Sequence, residues 1–333
     1  MRQLICLLLV AGAAPAADPR VAQLAGEVVG KGWIVYSAKT PRGDWDLFLM
    51  RPDGSGRRNI TNTPDYNEIG GRFSPDGKKM LYRRIPPSVK VHHDWWGRAG
   101  ELVIAGADGG NPVVYGEFPW ASWSPDGKQV ACLTKTGIEF RDLASRQVVR
   151  TLERKGIFQQ LYWSPDGRWL TATANAFGEA WTVVRMNVAT GEATAIAKFQ
   201  NCTPDWFPDS RNVIYSSRPA GQEDAGGAGK PGYGWTQLWM ADGEGKSPSL
   251  VYGEDGRHIY GGAVSPDGKY VVFTRSLTDG NEDSAVLGLM RLSDAPTIAG
   301  ESEALRKLHP KTKDGPVLSL GPGWEPHWSR GAK

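Results

Sequence analysis

The sequence has few cysteines and histidines, no long apolar stretch and no excess of charge of one sign. Its 333 residues include 3 cysteines and 5 histidines. No stretch approaches the roughly 18 consecutive apolar residues that a membrane-spanning helix needs, which argues against insertion in a membrane. The formal net charge is +3 and the basic residues are scattered, so the composition does not predict a nucleic-acid partner.

The first residues have the pattern of a cleavable secretory signal. Met1-Arg2-Gln3 provides a positive start, residues 4–10 are apolar, and Ala14-Pro15-Ala16 offers the small residues that a signal peptidase reads. We therefore expect a signal peptide at 1–16, an N-terminal extension at 17–31, and a protein that is periplasmic or secreted.

Turn-forming residues and large aromatics are abundant instead, with 42 glycines, 23 prolines and 14 tryptophans. This composition favours many short strands. Five segments are near copies of one another: FSPDGKKMLY at 73–82, WSPDGKQVACL at 123–133, WSPDGRWLTAT at 163–173, WFPDSRNVIYS at 206–216 and VSPDGKYVVFT at 264–274. The motif prolines are 50, 40, 43 and 58 residues apart, about the length of a four-stranded propeller blade.

Each copy has the features of a hairpin. Proline presets φ for the first corner of a type I turn, aspartate suits the second corner, and glycine accepts the positive φ that follows. An aromatic residue or valine precedes each turn and an apolar run follows it, so the turn joins the first two strands of a repeat. Later turns such as Asp108-Gly109 and Asp242-Gly243 then separate a third strand from a fourth.

The two ends of the chain each supply part of one further repeat. Residues 33–37, 46–50 and 58–60 resemble the second, third and fourth strands of a unit that lacks its first strand. Residues 326–331 resemble that missing strand and a decayed turn. We predict an all-β fold, a six-bladed β-propeller of four-stranded antiparallel blades over 32–333, which the C-terminal strand closes by completing the N-terminal blade.

Two cysteines, Cys132 and Cys202, remain once a signal peptide is removed. They belong to different repeats, so the sequence does not imply a disulfide between them.

The repeats resemble those of TolB-type propellers, also called PD40 or WD40-like repeats. The segment DWDLFLMRPDGSGRRNIT at 44–61 is also similar to them, with an aspartate before an aromatic third strand and a Thr-ended fourth strand. This resemblance implies the propeller fold over nearly all of the mature chain. TolB itself carries an additional α/β domain before its propeller, and about fifteen residues lie here between the predicted cleavage site and Trp33, so we expect that domain to be lacking.

Propellers bind ligands on loops at one end of the central channel. The loop after the second strand of one repeat contains two imidazoles, a carboxylate and two indoles, a set that can bind a metal or stack a sugar or peptide ring. These residues are His92, His93, Asp94, Trp95 and Trp96. Strand-entry positions add a polar and aromatic rim made of Glu68, Glu117, Trp120, Gln160, Asp205, Tyr260, Trp324, Glu325 and His327.

Two functions remain open on this basis. The first is an exported, monomeric, non-catalytic module that binds a protein segment or a glycan at the channel rim without a cofactor. The second is a metal-assisted polysaccharide lyase or hydrolase, similar to oligogalacturonate lyases, with ligands or a base drawn from His92, His93, Asp205, His258 and His327. Neither a Gly-x-Ser-x-Gly elbow nor the Asp-box of sialidase-type propellers occurs, which argues against those two enzyme classes.

Overall fold

The computed structural model describes residues 18–89, 91, 100–177, 179–198, 200–218, 236–254, 257–277, 282–296 and 315–329. They form one α-helix and six four-stranded antiparallel sheets, which are the blades of a six-bladed β-propeller. The predicted fold class is confirmed. In this described part, no helix is long and apolar enough to cross a membrane.

The blades are numbered here from the N-terminus, with strands given from the channel outward. Blade 1 contains β24 (Trp324–Trp328), β1 (Ile34–Lys39), β2 (Trp45–Met50) and β3 (Arg58–Asn59); blade 2 contains β4 (Asn67–Phe73), β5 (Lys79–Ile85), β6 (Gly100–Gly106) and β7 (Val113–Phe118); blade 3 contains β8 (Trp120–Trp123), β9 (Gln129–Leu133), β10 (Gly137–Asp142) and β11 (Val148–Glu153). Blade 4 contains β12 (Ile157–Trp163), β13 (Trp169–Ala176), β14 (Glu179–Asn187) and β15 (Ala193–Ala197); blade 5 contains β16 (Asn201–Trp206), β17 (Asn212–Ser217), β18 (Gln237–Asp242) and β19 (Ser249–Tyr252); blade 6 contains β20 (Arg257–Val264), β21 (Tyr270–Leu277), β22 (Val286–Arg291) and β23 (Leu318–Pro322).

The Ser-Pro-Asp-Gly turns join the first two strands of a blade, as the sequence predicts. In blade 2, Asp76 Oδ1 accepts hydrogen bonds from Ser74 Oγ at 2.6 Å and from the Lys78 N–H at 3.1 Å. Gly77 has a φ of 69°, which glycine adopts without a steric penalty. The same bonds recur at Ser124 in blade 3. The repeated aspartate therefore stabilises its own turn.

Blade 1 is completed by the last strand of the chain. β24 pairs antiparallel with β1, with Ile34 opposite Trp328 and Val35 opposite His327. The Trp328 side chain is 1% exposed, and its indole Nε1 donates to the Lys31 carbonyl over 2.7 Å. The predicted closure by the C-terminal strand is confirmed.

Helix α1 (Pro19–Val28) packs against blade 6 and was not expected from the sequence. Asp18 caps it by accepting a hydrogen bond from the Arg20 N–H, and proline occupies its first turn. Leu24 and Val28 lie four residues apart on the same face and are fully buried, in a cluster that also contains residues of blades 1 and 6. The helix therefore covers part of the seam where the ring closes.

The innermost strands carry an irregularity at the same position in five blades. The ladder between first and second strands shifts register in blades 1, 2, 4, 5 and 6, as at a β-bulge. The third residue before each strand's final aromatic or valine has a positive φ; these residues are Gly70, Gln160, Thr203, Gly261 and Glu325. We call the end where these strands begin the entry end and the end where their turns follow the turn end.

Candidate functional site

Hydrogen bonds between neighbouring blades line the central channel. The Thr203 N–H donates to Gln160 Oε1 over 2.8 Å, and the Gly261 N–H donates to Thr203 Oγ1 over 3.2 Å. Both N–H groups belong to bulge residues, which are left out of the strand pairing of their own blade. A side chain from the preceding blade thus satisfies the bulge, and the bulge fixes polar side chains along the channel.

A second layer of such bonds lies nearer the turn end. The Trp163 N–H donates to Ser122 Oγ over 2.9 Å, and the Phe73 N–H donates to His327 Nδ1 over 3.2 Å. Because a backbone N–H can only donate, Nδ1 of His327 carries no proton in this arrangement. The imidazole ring of the closing strand is therefore held in one orientation.

This second layer surrounds a cavity of about 190 Å³ at the turn end. Its lining comes from blades 1 to 5 and combines aromatic and proline walls with charged and hydroxyl side chains. The lining residues are Arg72, Phe73, Ser74, Pro75, Ala121, Ser122, Trp123, Pro125, Tyr162, Trp163, Ser164, Pro165, Asp205 and His327. We call it the channel cavity.

Arg72, Tyr162 and Asp205 provide three polar groups of the channel cavity that lie close to one another. Arg72 Nη2 donates to the Tyr162 hydroxyl over 2.5 Å, and Arg72 Nη1 lies 3.8 Å from Asp205 Oδ2. Burial opposes the charge on Arg72, but Tyr162 and Asp205 keep its pKa above the usual value. Burial also raises the pKa of Tyr162, so this phenol stays protonated at neutral pH. The cavity thus offers a cation, a carboxylate and a neutral hydroxyl.

Glu325 lies one layer further into the channel. Its side chain is 3% exposed, its φ is 49°, and within the described residues neither carboxylate oxygen has a hydrogen-bond partner. Burial raises its pKa, against the opposing effect of Arg83 and Arg72. Arg83 in turn lies over the Trp120 ring at 4.8 Å and donates to the Pro119 carbonyl. A carboxyl group and a guanidinium group are therefore both buried below the cavity.

A different polar cluster lies towards the entry end. Glu68 is 1% exposed and accepts a 2.6 Å hydrogen bond from Thr63 Oγ1, while Asp46 accepts from Arg42 and Asn59. Each carboxyl keeps one buried oxygen without a partner in the described chain. Burial, and then the neighbouring Asp46, raise the pKa of Glu68 to about 8. Glu68 is thus mainly protonated at neutral pH.

The residues expected to form one rim occupy several separate places. Asp205 and His327 line the channel cavity, and Trp120, Gln160 and Glu325 begin or lie within inner strands below it. Glu68, Tyr260 and Trp324 lie towards the entry end, where Trp324 packs edge-on against Trp45 at 5.8 Å. Glu117 is exposed on β7, the outermost strand of blade 2. His92, His93, Asp94, Trp95 and Trp96 lie outside the described residues.

The remaining histidines of the metal hypothesis do not meet. His258 is the second residue of β20 and contacts Thr236 Oγ1 at 3.0 Å, near the entry end. His327 lies at the opposite end of an inner strand, in the channel cavity. Across the described ranges, His, Cys, Asp and Glu side chains form no group of three that could hold a metal ion. Cys132 and Cys202 are free thiols.

The residue that immediately precedes the final aromatic of an inner strand was predicted in blades 1 and 5 but missed in blades 2, 3 and 4. Arg72, Ser122 and Tyr162 occupy this position in blades 2, 3 and 4, as Asp205 and His327 do in blades 5 and 1. A signal was present, because the position can be aligned from the repeat alone and its side chain varies in chemistry from blade to blade. The bulge next to this position in the five blades other than blade 3 has a sequence signal only in the glycines at 70 and 261.

Comparison with known proteins supports the fold and its type. TolB from Acinetobacter baumannii is similar over 93% of this chain and 70% of its own, with a TM-score of 0.64 and 18% identity. The chain has the TolB-like propeller fold. The resemblance inferred from the repeats is thereby confirmed at the level of fold.

Other solved structures share this TolB-like architecture. A structure of a nidogen/laminin complex covers 91% of the chain and 100% of its own, with a TM-score of 0.58 and 11% identity. Hydrazine synthase from Kuenenia stuttgartiensis covers 84% of each chain, with a TM-score of 0.50 and 16% identity. No protein-family model and no curated protein matches the sequence. Because proteins of such different kinds share the fold, function has to be argued from the site.

Proposed function

We propose that the protein is an exported, non-catalytic propeller that binds a protein segment or a glycan at the turn end of its channel. The channel cavity is the observation that supports this proposal. Its volume of about 190 Å³ is below the roughly 300–1,000 Å³ of sites for drug-sized ligands. It therefore suits one side chain or one sugar ring of a larger ligand.

The lining chemistry supports binding of a group that has both a flat apolar face and polar atoms. Trp123 and Trp163 provide aromatic surface, on which a ring or an aliphatic side chain packs favourably. Arg72 and Asp205 offer donors and acceptors at the same place. Their mutual distance of 3.8 Å leaves room for a ligand group to compete for either one.

The experiment uses two probes, a displayed random heptapeptide library and a glycan array, on the wild type and on Asp205→Asn. The substitution removes a charge while its remaining oxygen can still accept the 2.7 Å hydrogen bond from the Trp206 N–H. We expect it to weaken the strongest binder at least about tenfold, the effect of a lost charged contact in a buried site.

Asp209→Asn is the matched control, because Asp209 lies four residues later and is exposed in the turn of blade 5. It should bind like the wild type. If Asp205→Asn also binds like the wild type, the channel cavity is not the site.

The enzyme hypothesis predicts a different result. It requires a metal held in part by His327, which lies near the turn end of β24. His258 lies near the entry end of a different inner strand, β20, and so does not lie beside His327. Elemental analysis of the purified protein and an assay on a uronate polymer test it. A stoichiometric transition metal that is lost in His327→Ala, together with cleavage of the polymer, would favour the enzyme over the binding module.

Export belongs to the same proposal and rests on the pattern of residues 1–16, which lie outside the described residues. Mass spectrometry of the protein recovered from the periplasm or medium should show a mature chain that begins at residue 17, followed by the extension at 17–31 and the propeller at 32–333. An uncleaved chain found only in the cytoplasm would contradict export.

A further inference from the structure

Two further depressions lie next to the channel cavity, between blades 2 and 3. A second depression, of about 380 Å³, shares Ser74, Pro75, Trp123 and Pro125 with the channel cavity. A third, of about 390 Å³, shares Lys79 and Leu143 with the second. The three depressions therefore adjoin one another, and together we call them the radial groove.

The radial groove has the dimensions of an extended peptide. Adjacent strands lie about 4.8 Å apart, so the outermost strand of a blade lies about 15 Å from the innermost one. An extended chain advances about 3.3 Å per residue, so about five residues span this distance. The groove is thus much longer than the single side chain or sugar ring that the channel cavity holds.

The lining of the outer third of the groove combines apolar side chains with positively charged ones. Its walls include Ile104, Val113 and Tyr115, and Val113 is 48% exposed. The charged residues in its lining are three cations, Lys78, Lys79 and Arg146, and the lining contains no carboxylate. Arg146 Nη1 also donates to the Val114 carbonyl over 3.2 Å, which joins the edge strand of blade 2 to the hairpin of blade 3.

The middle third contains two carboxylates, Asp76 and Asp126, and each uses one oxygen within its own turn. Asp76 Oδ1 accepts from Ser74 Oγ and the Lys78 N–H, and Asp126 Oδ1 accepts from Ser124 Oγ and the Lys128 N–H. These carboxylates are thus engaged within their own turns. Lys78 and Lys79 are exposed, so an acidic side chain can approach their ammonium groups from solvent.

We propose that the radial groove binds an extended, acidic polypeptide segment, whose inner residue enters the channel cavity and whose Asp or Glu side chains meet Lys78 and Lys79 where the outer third begins. This inference rests on the proposed function and specifies its ligand as a peptide. Charge complementarity selects the acidic sequence, and the length and narrow shape of the groove select the extended conformation.

The test compares heptapeptides selected from a displayed random library on the wild type and on Lys78→Glu/Lys79→Glu. Wild-type binders should be enriched in Asp and Glu at one end, and the double variant should bind them at least about tenfold more weakly, because like charges then face each other. Rising salt should weaken wild-type binding, since exposed ion pairs are screened.

Lys269→Glu is the matched control, because Lys269 follows the turn glycine of blade 6 as Lys78 does in blade 2, and it is also exposed. It should bind the selected peptides like the wild type. Val113→Glu provides a second variant, which places a negative charge in the outer groove from an exposed edge position and should also weaken binding.

Three results would overturn the inference. The first is a set of selected peptides without acidic enrichment, or peptides whose binding is abolished by Asp205→Asn but unchanged by Lys78→Glu/Lys79→Glu. Such peptides would bind at the channel cavity and not along the radial groove. Binding on the glycan array alone would replace the peptide with a sugar. A wild-type dimer that Lys78→Glu/Lys79→Glu dissociates in light scattering would show that a second copy of the chain occupies the groove.

Discussion

His327 Nδ1 accepts a hydrogen bond from the backbone N–H of Phe73, across 3.2 Å and from a residue 254 positions earlier in the chain. The bond joins the closing strand of blade 1 to the inner strand of blade 2. It also positions a side chain of the channel cavity. Closure of the ring and formation of the candidate site thus depend on the same residue.

His327→Ala should therefore destabilise the fold, because the partly buried Phe73 N–H loses its acceptor. We expect a loss of about 1–3 kcal/mol in the free energy of unfolding, the cost of an unsatisfied buried donor. Urea denaturation followed by tryptophan fluorescence measures it. His327→Asn, which offers a side-chain oxygen in a similar place, should recover part of the loss; equal stability of the alanine variant and the wild type would contradict this account.

Removal of β24 should open the ring. A chain that ends at Gly323 loses the buried side chains of Trp324 and Trp328 and exposes the backbone of β1 as a free edge. We expect loss of cooperative unfolding and aggregation in size-exclusion chromatography. A chain that ends at Ser329 keeps β24 and serves as the control. An unchanged denaturation midpoint in the shorter chain would show that the C-terminal strand does not close the propeller.

Glu68 should make stability depend on pH. Its folded-state pKa of about 8 lies above the roughly 4.3 of a free glutamate, so between these values the folded state holds a proton that the unfolded state has released. The free energy of unfolding should fall as pH rises through this window, by at most about 1.4 kcal/mol per pH unit.

Glu68→Gln removes this titration, so its stability relative to the wild type should increase from pH 5 to about 8. Glu153→Gln is the control, because Lys155 lowers the pKa of that exposed carboxyl and keeps it ionised throughout the window. Parallel pH profiles for the wild type and Glu68→Gln in urea denaturation would mean that Glu68 is not protonated in the folded state.

Helix α1 should contribute to the stability of the closed ring. Leu24 is fully buried against blades 1 and 6, and replacing a buried leucine with alanine costs about 2–5 kcal/mol. Gln23→Ala changes an exposed neighbour and should alter stability by no more than about 0.5 kcal/mol. Thermal unfolding by circular dichroism compares the two. Equal melting temperatures would show that the helix packs too weakly to support the seam.

The repeat made the fold predictable because its turn chemistry is local. Proline, aspartate and glycine specify the hairpin within four residues, and the spacing of the copies gives the blades. Helix α1 was also accessible in principle, since Asp18 before Pro19 is a helix start and Leu24 and Val28 share a face. The many aromatic and turn residues in the rest of the sequence favoured an all-β prediction over this helix signal.

The candidate site was less predictable because it depends on backbone geometry. Gln160, Thr203 and Glu325 have positive φ values that their residue types rarely adopt, and the glycines at 70 and 261 are the main sequence hint of the bulge. Unless the bulge is known, the alternating direction of side chains along a strand does not show which residues reach the channel cavity and which lie near the entry end. Arg72 and Tyr162 were therefore overlooked, and Glu117 was placed at the channel although it lies on an outer strand.

The position of β24 also determines when the channel becomes complete during folding. Glu325 and His327 lie on β24, the last of the described strands along the chain, and until β24 pairs with β1 the channel lacks one side. Contacts between residues so far apart in sequence form slowly. A molecule in which β24 has not yet paired with β1 consequently lacks His327 in its channel cavity, so the cavity is complete only once the ring has closed.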